Sequence, residues 1–201
     1  MPKRKSTLPT INRIADYWEN HIDESYLGVD FSESRQRCWR CAYETKSLQK
    51  CHIVPESLGG SSDPSNLVIL CGRCHRDAPN VKHKHFMFSW IFFTRSPFYE
   101  CSHQTKNDNL FELFFNRKFT SDICHFNNVT KEQLDEHTNS DCFRKQVSLI
   151  FDQTSSHFGE GARMNNSTRT WVESKIEEIL IKNLKLNIPD NFVKLKDLRW
   201  K

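Results

Sequence analysis

Residues 50–75 read KCHIVPESLGGSSDPSNLVILCGRCH and decide the fold. A Cys–His pair leads into a short apolar run, then a loop rich in Gly, Ser and Pro, then a second apolar run that ends in Cys-x-x-Cys-His. Apolar and β-branched runs flanked by turn residues predict two strands, Ser47–Val54 and Asn66–Leu70, joined by that loop. A helix is expected to begin near Gly72 and to be interrupted at Pro79, because proline lacks the N–H that a helix interior needs.

A second Cys-x-x-Cys lies upstream, at Cys38 and Cys41, and matches Cys71 and Cys74 of the quoted stretch. Zinc prefers four ligands in a tetrahedron, and two Cys-x-x-Cys turns can close such a site. Four thiolates leave no position for water, so the predicted zinc is structural and supplies folding free energy to a segment of short strands. The alternative is that all four are free core cysteines.

Composition places the chain among ordinary globular proteins. Of its 201 residues, 37% are hydrophobic and 27% charged, and the net charge of +4 is compatible with a polyanionic partner without indicating one. The basic start lacks the apolar region of a secretory signal, and the longest apolar run, Phe86–Phe93, is far shorter than the ~20 residues of a membrane span. Because the paired cysteines favour metal binding in a reducing compartment, we expect a cytoplasmic protein.

Outside the quoted stretch, apolar residues recur at helical spacing in three places. A first helix is expected after Pro9, from Ile11 to about Ile22, followed by a linker over Asp23–Arg37. A second helical stretch is expected around Phe86–Phe93. An amphipathic helix from Trp171 to Leu184 closes the chain, with its Glu and Lys residues on the solvent side.

The spacing of the cysteines, His52-Ile53-Val54-Pro55, Asn66-Leu67-Val68 and the Cys-His end of the second knuckle resembles the HNH nucleases, the ββα-metal class. The resemblance covers residues 38–80, under a third of the chain. It implies an α+β fold, in which a small zinc-stapled ββα-metal nuclease core is embedded in a mostly helical chain. The chain would then divide into a basic tail and helix (1–37), the nuclease core (38–95) and a C-terminal region for DNA recognition or dimerisation (96–201).

The resemblance assigns roles to three residues. His52 would be the general base, a role that suits an imidazole with an ordinary pKa of ~6.5, although a histidine at a strand end can also be merely hydrogen-bonded. Asn66 would orient the loop or contact the metal, and it could equally be an ordinary turn asparagine. His75 would bind the catalytic cation, or else lie on the helix near the structural zinc.

Two positions depart from the family pattern. Many members have His, Asp or Glu where this chain has Cys51, and a thiolate is a poor ligand for Mg²⁺. Many also have a histidine where this chain has Pro79. The remaining cation ligands stay open, and oxygen ligands would favour Mg²⁺ or Mn²⁺; the candidates are Cys51, Asp77, Asn80, His83 and His85.

Double-stranded DNA is the expected partner. Its phosphates could be contacted by four basic side chains, which could instead form only a solvated face. These side chains belong to Arg73, Arg76, Lys82 and Lys84. Because HNH chemistry acts on the backbone, a site-specific, restriction-type enzyme would read sequence elsewhere, and cutting both strands would be simplest for a homodimer. The alternatives are a non-catalytic zinc-ribbon DNA-binding protein and an RNA-directed nuclease.

The rest of the chain offers two weaker signals. The aromatic runs Phe86–Phe93 and Leu110–Phe115 could stack bases, but periodic aromatic residues predict core. A second zinc site is conceivable, although the spacing of its candidates fits no strong template; these are Cys101, His103, Cys124, His125, His137 and Cys142.

Overall fold

The computed structural model of the protein describes residues 8–95, 109–155 and 164–193. The expected α+β class is confirmed, because 52% of the structure is helical and its sheet has two strands. Within those ranges no helix combines the length and the apolar character needed to cross a bilayer.

The sheet is a hairpin of β1 (Gln49–His52) and β2 (Leu67–Leu70), which pair antiparallel with His52 opposite Leu67. All four residues of β2 are buried. Because successive strand residues point to opposite faces, Cys51 faces the core and its neighbour His52 faces the other side.

Both strands are shorter than predicted, and one residue explains why. The N–H of Ile53 donates to the backbone carbonyl of Asn66, and the N–H of Val54 donates to the Asn66 side chain. The strand predicted over Ser47–Val54 therefore leaves the hairpin after His52 and continues as a loop held by Asn66.

The helices predicted from periodicity are present. The described residues 109–155, for which periodicity predicted no helix, contain four more. In the described ranges the α-helices are α1 (Ile11–Glu19), α2 (Gly72–Asp77), α3 (Lys84–Thr94), α4 (Leu110–Phe115), α5 (Ser121–Phe126), α6 (Lys131–Thr138), α7 (Asp141–Phe151) and α8 (Asn166–Leu184).

The prediction of a linker over Asp23–Arg37 is wrong. Leu27 and Phe31 are buried in the main core, and the N–H of Gly28 donates to the carbonyl of Trp39 over 2.6 Å. The segment is a folded connection that lies against the first cysteine knuckle.

One apolar core joins α1, the hairpin and α3. The indole of Trp18 in α1 donates to the carbonyl of Leu67 over 2.7 Å, which fixes α1 against β2. The aromatic runs are core, as predicted, and their aromatic residues that are at most 3% exposed are Phe86, Phe88, Trp90, Phe111, Phe114 and Phe115.

The helix α8 departs from the predicted amphipathic pattern at Glu177, which is 1% exposed. Its carboxylate accepts hydrogen bonds from the Arg117 guanidinium, over 3.1 Å from Nε, and from the N–H of Thr120. A buried charge needs such a partner, and the sequence period carries no information about it.

The C-terminal region is attached to the segment that follows α2. The N–H of Lys82 donates to the carbonyl of Gln153, and the N–H of Ser155 donates to the carbonyl of Asn80, around an isolated antiparallel bridge at Val81. Residues 80–82 therefore connect the two halves of the molecule through backbone hydrogen bonds.

Candidate active site

The four knuckle cysteines form one buried cluster whose sulfur atoms all lie within 4.8 Å of one another. The Sγ atoms of Cys41 and Cys71 are 3.8 Å apart. A Zn–S distance of ~2.3 Å in a tetrahedron implies a sulfur–sulfur edge of about 3.8 Å, so the cluster fits zinc. Across the described ranges, no other group of three or more His, Cys, Asp or Glu side chains is placed to hold a metal ion.

The first knuckle is a tight turn attached to the sheet. The N–H of Ala42 donates to the carbonyl of Cys38, and Ala42 adopts a left-handed conformation with φ of 56°. The N–H of Trp39 donates to the carbonyl of Ile69 over 3.0 Å, which places the turn beside β2.

The second knuckle is the start of α2. Cys71 is the N-cap of this helix and Cys74 lies buried in its first turns. Hydrogen bonds from Cys38, Cys41 and Cys74 lower the pKa of the Cys71 thiol.

Arg40, between the two cysteines of the first knuckle, joins this cluster to two helices. Its Nη1 lies 3.6 Å from the Sγ of Cys74 and 3.4 Å from a carboxylate oxygen of Asp77, and its Nε donates to Thr94 over 2.7 Å. The guanidinium stacks 4.5 Å from the Trp90 ring centroid. A positive charge here offsets the negative charge of a four-thiolate site. The prediction missed Arg40, although its position inside the knuckle was a signal.

His52, at the end of β1, is half-buried. Its Nε2 is inaccessible to solvent and has no hydrogen-bond partner among the described residues. Burial lowers the pKa of the imidazole, and the nearby Glu56 carboxylate opposes that shift. The ring is therefore neutral at pH 7, with a nitrogen able to accept a proton.

Asn66 holds the loop that follows His52. Its side-chain oxygen accepts the N–H of Val54, and its amide donates to the carbonyls of Val54 and Ser61 over 2.9 and 2.8 Å. The loop closes so tightly that a Cβ at Gly60 would lie 1.8 Å from the Val54 carbonyl oxygen. Only glycine fits at that position.

His75 lies on α2, and its Nδ1 is 2.7 Å from the Oε1 of Gln49 at the start of β1. Because a carbonyl oxygen can only accept, Nδ1 carries the proton and Nε2 carries the lone pair that a cation requires. Gln49 was not predicted, and nothing in its sequence position indicates this contact.

In the described ranges, no group of three or more His, Cys, Asp or Glu side chains that includes His75 is placed to hold a metal ion. Cys51 is 3% exposed in the core, and burial raises the pKa of its thiol. The Asp77 carboxylate lies beside Arg40, and the Asn80 amide donates to the Ala78 carbonyl over 3.3 Å.

His83 and His85 follow next in the chain, with ring centroids 6.1 Å apart. The Nδ1 of His83 is buried without a hydrogen-bond partner among the described residues, and burial lowers the pKa of that ring.

Three of the four candidate phosphate contacts, Arg73, Arg76 and Lys82, are exposed. Lys84 is half-buried, with its ammonium 5.6 Å from the Trp18 ring centroid.

Among the candidates for a second zinc site, Cys142 is exposed and Cys124 is half-buried. His137 lies 3.3 Å from the Asn183 amide nitrogen. Cys101 and His103 lie outside the described residues.

Comparison with known proteins gives one match, to a family model described as HNH endonuclease, over residues 36–80. No curated protein and no solved structure matches the chain. The matched residues contain β1, β2, α2 and all four cysteines of the metal cluster. Residues 36–80 therefore form an HNH endonuclease-type segment with four cysteines placed to hold a metal ion.

Proposed function

We propose that the protein is a metal-dependent endonuclease that hydrolyses phosphodiester bonds in DNA. The observation that carries the proposal is the half-buried imidazole of His52, whose pKa is lowered by burial, at the end of β1 inside the segment that matches HNH endonucleases. A neutral imidazole in that position suits proton abstraction from water.

In this mechanism the neutral imidazole of His52 accepts a proton from the attacking water. Asn66 keeps the chain after His52 in one conformation through its hydrogen bonds to Val54 and Ser61. A general base of this kind contributes about 10²–10⁴-fold to the rate.

The proposed catalytic cation is Mg²⁺ or Mn²⁺, with His75 as its protein ligand and Gln49 fixing the ring tautomer. Such a cation would neutralise the charge that develops on the scissile phosphate and leaving oxygen. Mg²⁺ commonly keeps several waters and is bound through one or two carboxylates together with substrate phosphates, so water and the phosphate would supply most of its ligands here. Cys51 is not part of this set, because its thiol is buried in the core and burial raises its pKa.

The proposed substrate is duplex DNA, cut at specific sites in a restriction-type role by a cytoplasmic homodimer. The exposed side chains of Arg73 and Arg76 flank His75 on α2 and would contact phosphate oxygens. Backbone hydrolysis does not select a sequence, so recognition is assigned to residues 96–201. Two chains would supply one active site for each strand.

The test is plasmid cleavage in Mg²⁺ and in Mn²⁺ by the wild type, by His52→Ala and by the control His125→Ala, which alters an exposed histidine of α5. Metal-dependent nicking by the wild type and the control, lost in His52→Ala with its zinc content unchanged, supports the nuclease and its base. Discrete fragments would add site specificity, and parallel reactions on single strands and RNA would identify the substrate.

A non-catalytic zinc-ribbon DNA-binding protein is the second candidate. It is favoured by the absence, in the described ranges, of a second cluster of three or more His, Cys, Asp or Glu ligands around His75. DNA binding by the wild type without cleavage under either cation would establish that candidate and overturn the nuclease.

A further inference from the structure

The helix α2 carries both Cys74 of the metal cluster and His75, yet it is only six residues long. The last carbonyls of a helix have no partner within the helix. Pro79 prevents α2 from continuing, so the carbonyls of its final residues must be satisfied from elsewhere in the molecule.

The side chain of Asn165 satisfies two carbonyls at the end of α2. The Nδ2 of Asn165 donates to the carbonyl of Arg76 over 2.9 Å and to the carbonyl of Ala78 over 2.8 Å. The Oδ1 of the same side chain accepts the N–H of Thr168 over 3.0 Å and so caps the start of α8. Asn165 therefore closes the N-terminus of α8 and the C-terminus of α2 at once.

Two residues that follow Asn165 add hydrogen bonds between α8 and the residues at the end of α2 and just after it, and this set of contacts is called the joint below. The hydroxyl of Ser167 donates to the carbonyl of Asp77 over 2.5 Å, and the hydroxyl of Thr168 accepts the N–H of Asn80 over 2.9 Å. Ser167 and Thr168 are each 1% exposed. Because these two side chains are buried, the Asp77 carbonyl and the Asn80 N–H would not readily be solvated if they lost their partners. The bond from Asn165 to Arg76, by contrast, lies at an exposed position.

We propose that Asn165 is a positioning residue of the nuclease site: its amide fixes the end of α2, and so the direction in which His75 presents its ring to the cation. The role of His75 rests on the proposed function, whereas the effect of Asn165 on α2 does not. Asn165 lies 89 residues from Arg76 in the chain, so the C-terminal region would complete the active site in addition to any part in DNA recognition.

Asn165→Ser separates this role from simple helix capping. Serine is as good an N-cap as asparagine, so α8 keeps its cap, but the shorter side chain has no amide to reach α2. The matched control is Asn109→Ser, because Asn109 caps α4 through the N–H of Glu112 and, among the described residues, forms no hydrogen bond with α2. Ser167→Ala is a milder second variant that removes one bond to α2.

The first measurement is the Mn²⁺ concentration that gives half-maximal plasmid cleavage. Loss of two hydrogen bonds predicts an increase of about ten-fold or more in Asn165→Ser, with zinc content equal to that of Asn109→Ser. Excess Mn²⁺ should restore most of the rate, because the ligand is displaced but not removed. A rate loss without any change in metal dependence would overturn the proposal.

The second measurement is amide hydrogen exchange, which requires no activity. Residues 75–80 should exchange about ten-fold faster in Asn165→Ser, with β1 and β2 unchanged. If the wild type never cleaves DNA, the proposed function fails, and exchange alone then decides whether Asn165 holds α2. Exchange over residues 75–80 equal to that of the wild type in both Asn165→Ser and Ser167→Ala would refute the joint itself.

Discussion

Residues 36–80 and the C-terminal helices α4–α8 are stabilised in different ways. The first region has two strands of four residues and one helix of six, tied together by four thiols and by single side chains such as Asn66 and Arg40. The second consists of helices that pack on one another. Order in the first region therefore rests on the apolar core shared with α1 and α3, on four cysteines placed to hold a metal ion and on a few polar contacts, whereas order in the second is spread over many residues.

The N-caps of the C-terminal helices show that the order of this region is distributed over many residues. Four of the five helices accept a hydrogen bond at the side chain of their N-cap, each worth about 1 kcal/mol. One of them, at Thr130, is a full capping box with Gln133. The others are Asn109, Ser140 and Asn165. No single one of these residues should be indispensable for the helical region to fold.

The largest difference between the two regions is expected when the metal ion of the four-cysteine cluster is removed. Structural zinc contributes about 10 kcal/mol or more to the folding of small zinc domains, so Cys71→Ser or a strong chelator should unfold residues 36–80 and abolish cleavage. Region-resolved hydrogen exchange should show protection lost there and kept in α7 and α8. The control is Cys142→Ser, which alters an exposed cysteine of α7. Simultaneous loss of protection in both regions would show that they form a single cooperative unit.

In the C-terminal region the most sensitive residue is expected to be Glu177. Glu177→Ala leaves the Arg117 guanidinium buried without its partner, which should lower the free energy of unfolding by about 3–5 kcal/mol. Urea unfolding measures the change. The adjacent Glu178→Ala removes only an exposed ion pair with Lys175, so it should cost less than about 1 kcal/mol. Equal effects of the two substitutions would contradict the buried ion pair.

Asn66 should have a smaller effect on stability that is confined to the first region. Asn66→Ala removes the partners of the Val54 N–H and of the Val54 and Ser61 carbonyls, at a cost of about 2 kcal/mol. Cleavage should fall sharply while zinc content stays the same. Asn66→Asp keeps the acceptor for the Val54 N–H, so it should retain more stability; a stability no better than that of Asn66→Ala would argue against the assigned bond.

The smallest effect concerns pH. Burial disfavours the charged form of His52, so its folded-state pKa lies below the ~6.5 of an exposed histidine. The unfolded chain therefore gains a proton first, and stability declines as pH falls below ~6.5, while cleavage declines at the lower pH where the folded histidine is protonated. Glu56→Gln removes an attraction that raises this pKa, so the acid limb of the pH–rate profile should move to lower pH. Glu136→Gln, far along the chain in α6, should leave it unchanged.

The sequence predicted the hairpin, α2 and the cysteine cluster because those features follow from local spacing. It did not predict the contacts of Gln49, Arg40 and Asn165, since each joins residues whose proximity arises only in the folded chain. The ion pair of Glu177 was missed for a related reason: helical periodicity assigns a charged residue to the solvent side, and only the partner reverses that assignment.

The joint between α2 and α8 also has a consequence in time. The N–H of Asn80 donates to the hydroxyl of Thr168, which lies 88 residues later in the chain. At a synthesis rate of about 5–20 residues per second, roughly 4 to 18 seconds separate the two residues. The HNH endonuclease-type segment is therefore made several seconds before the side chains that hold the end of its helix, so α2 would gain these partners only after Thr168 has been synthesised.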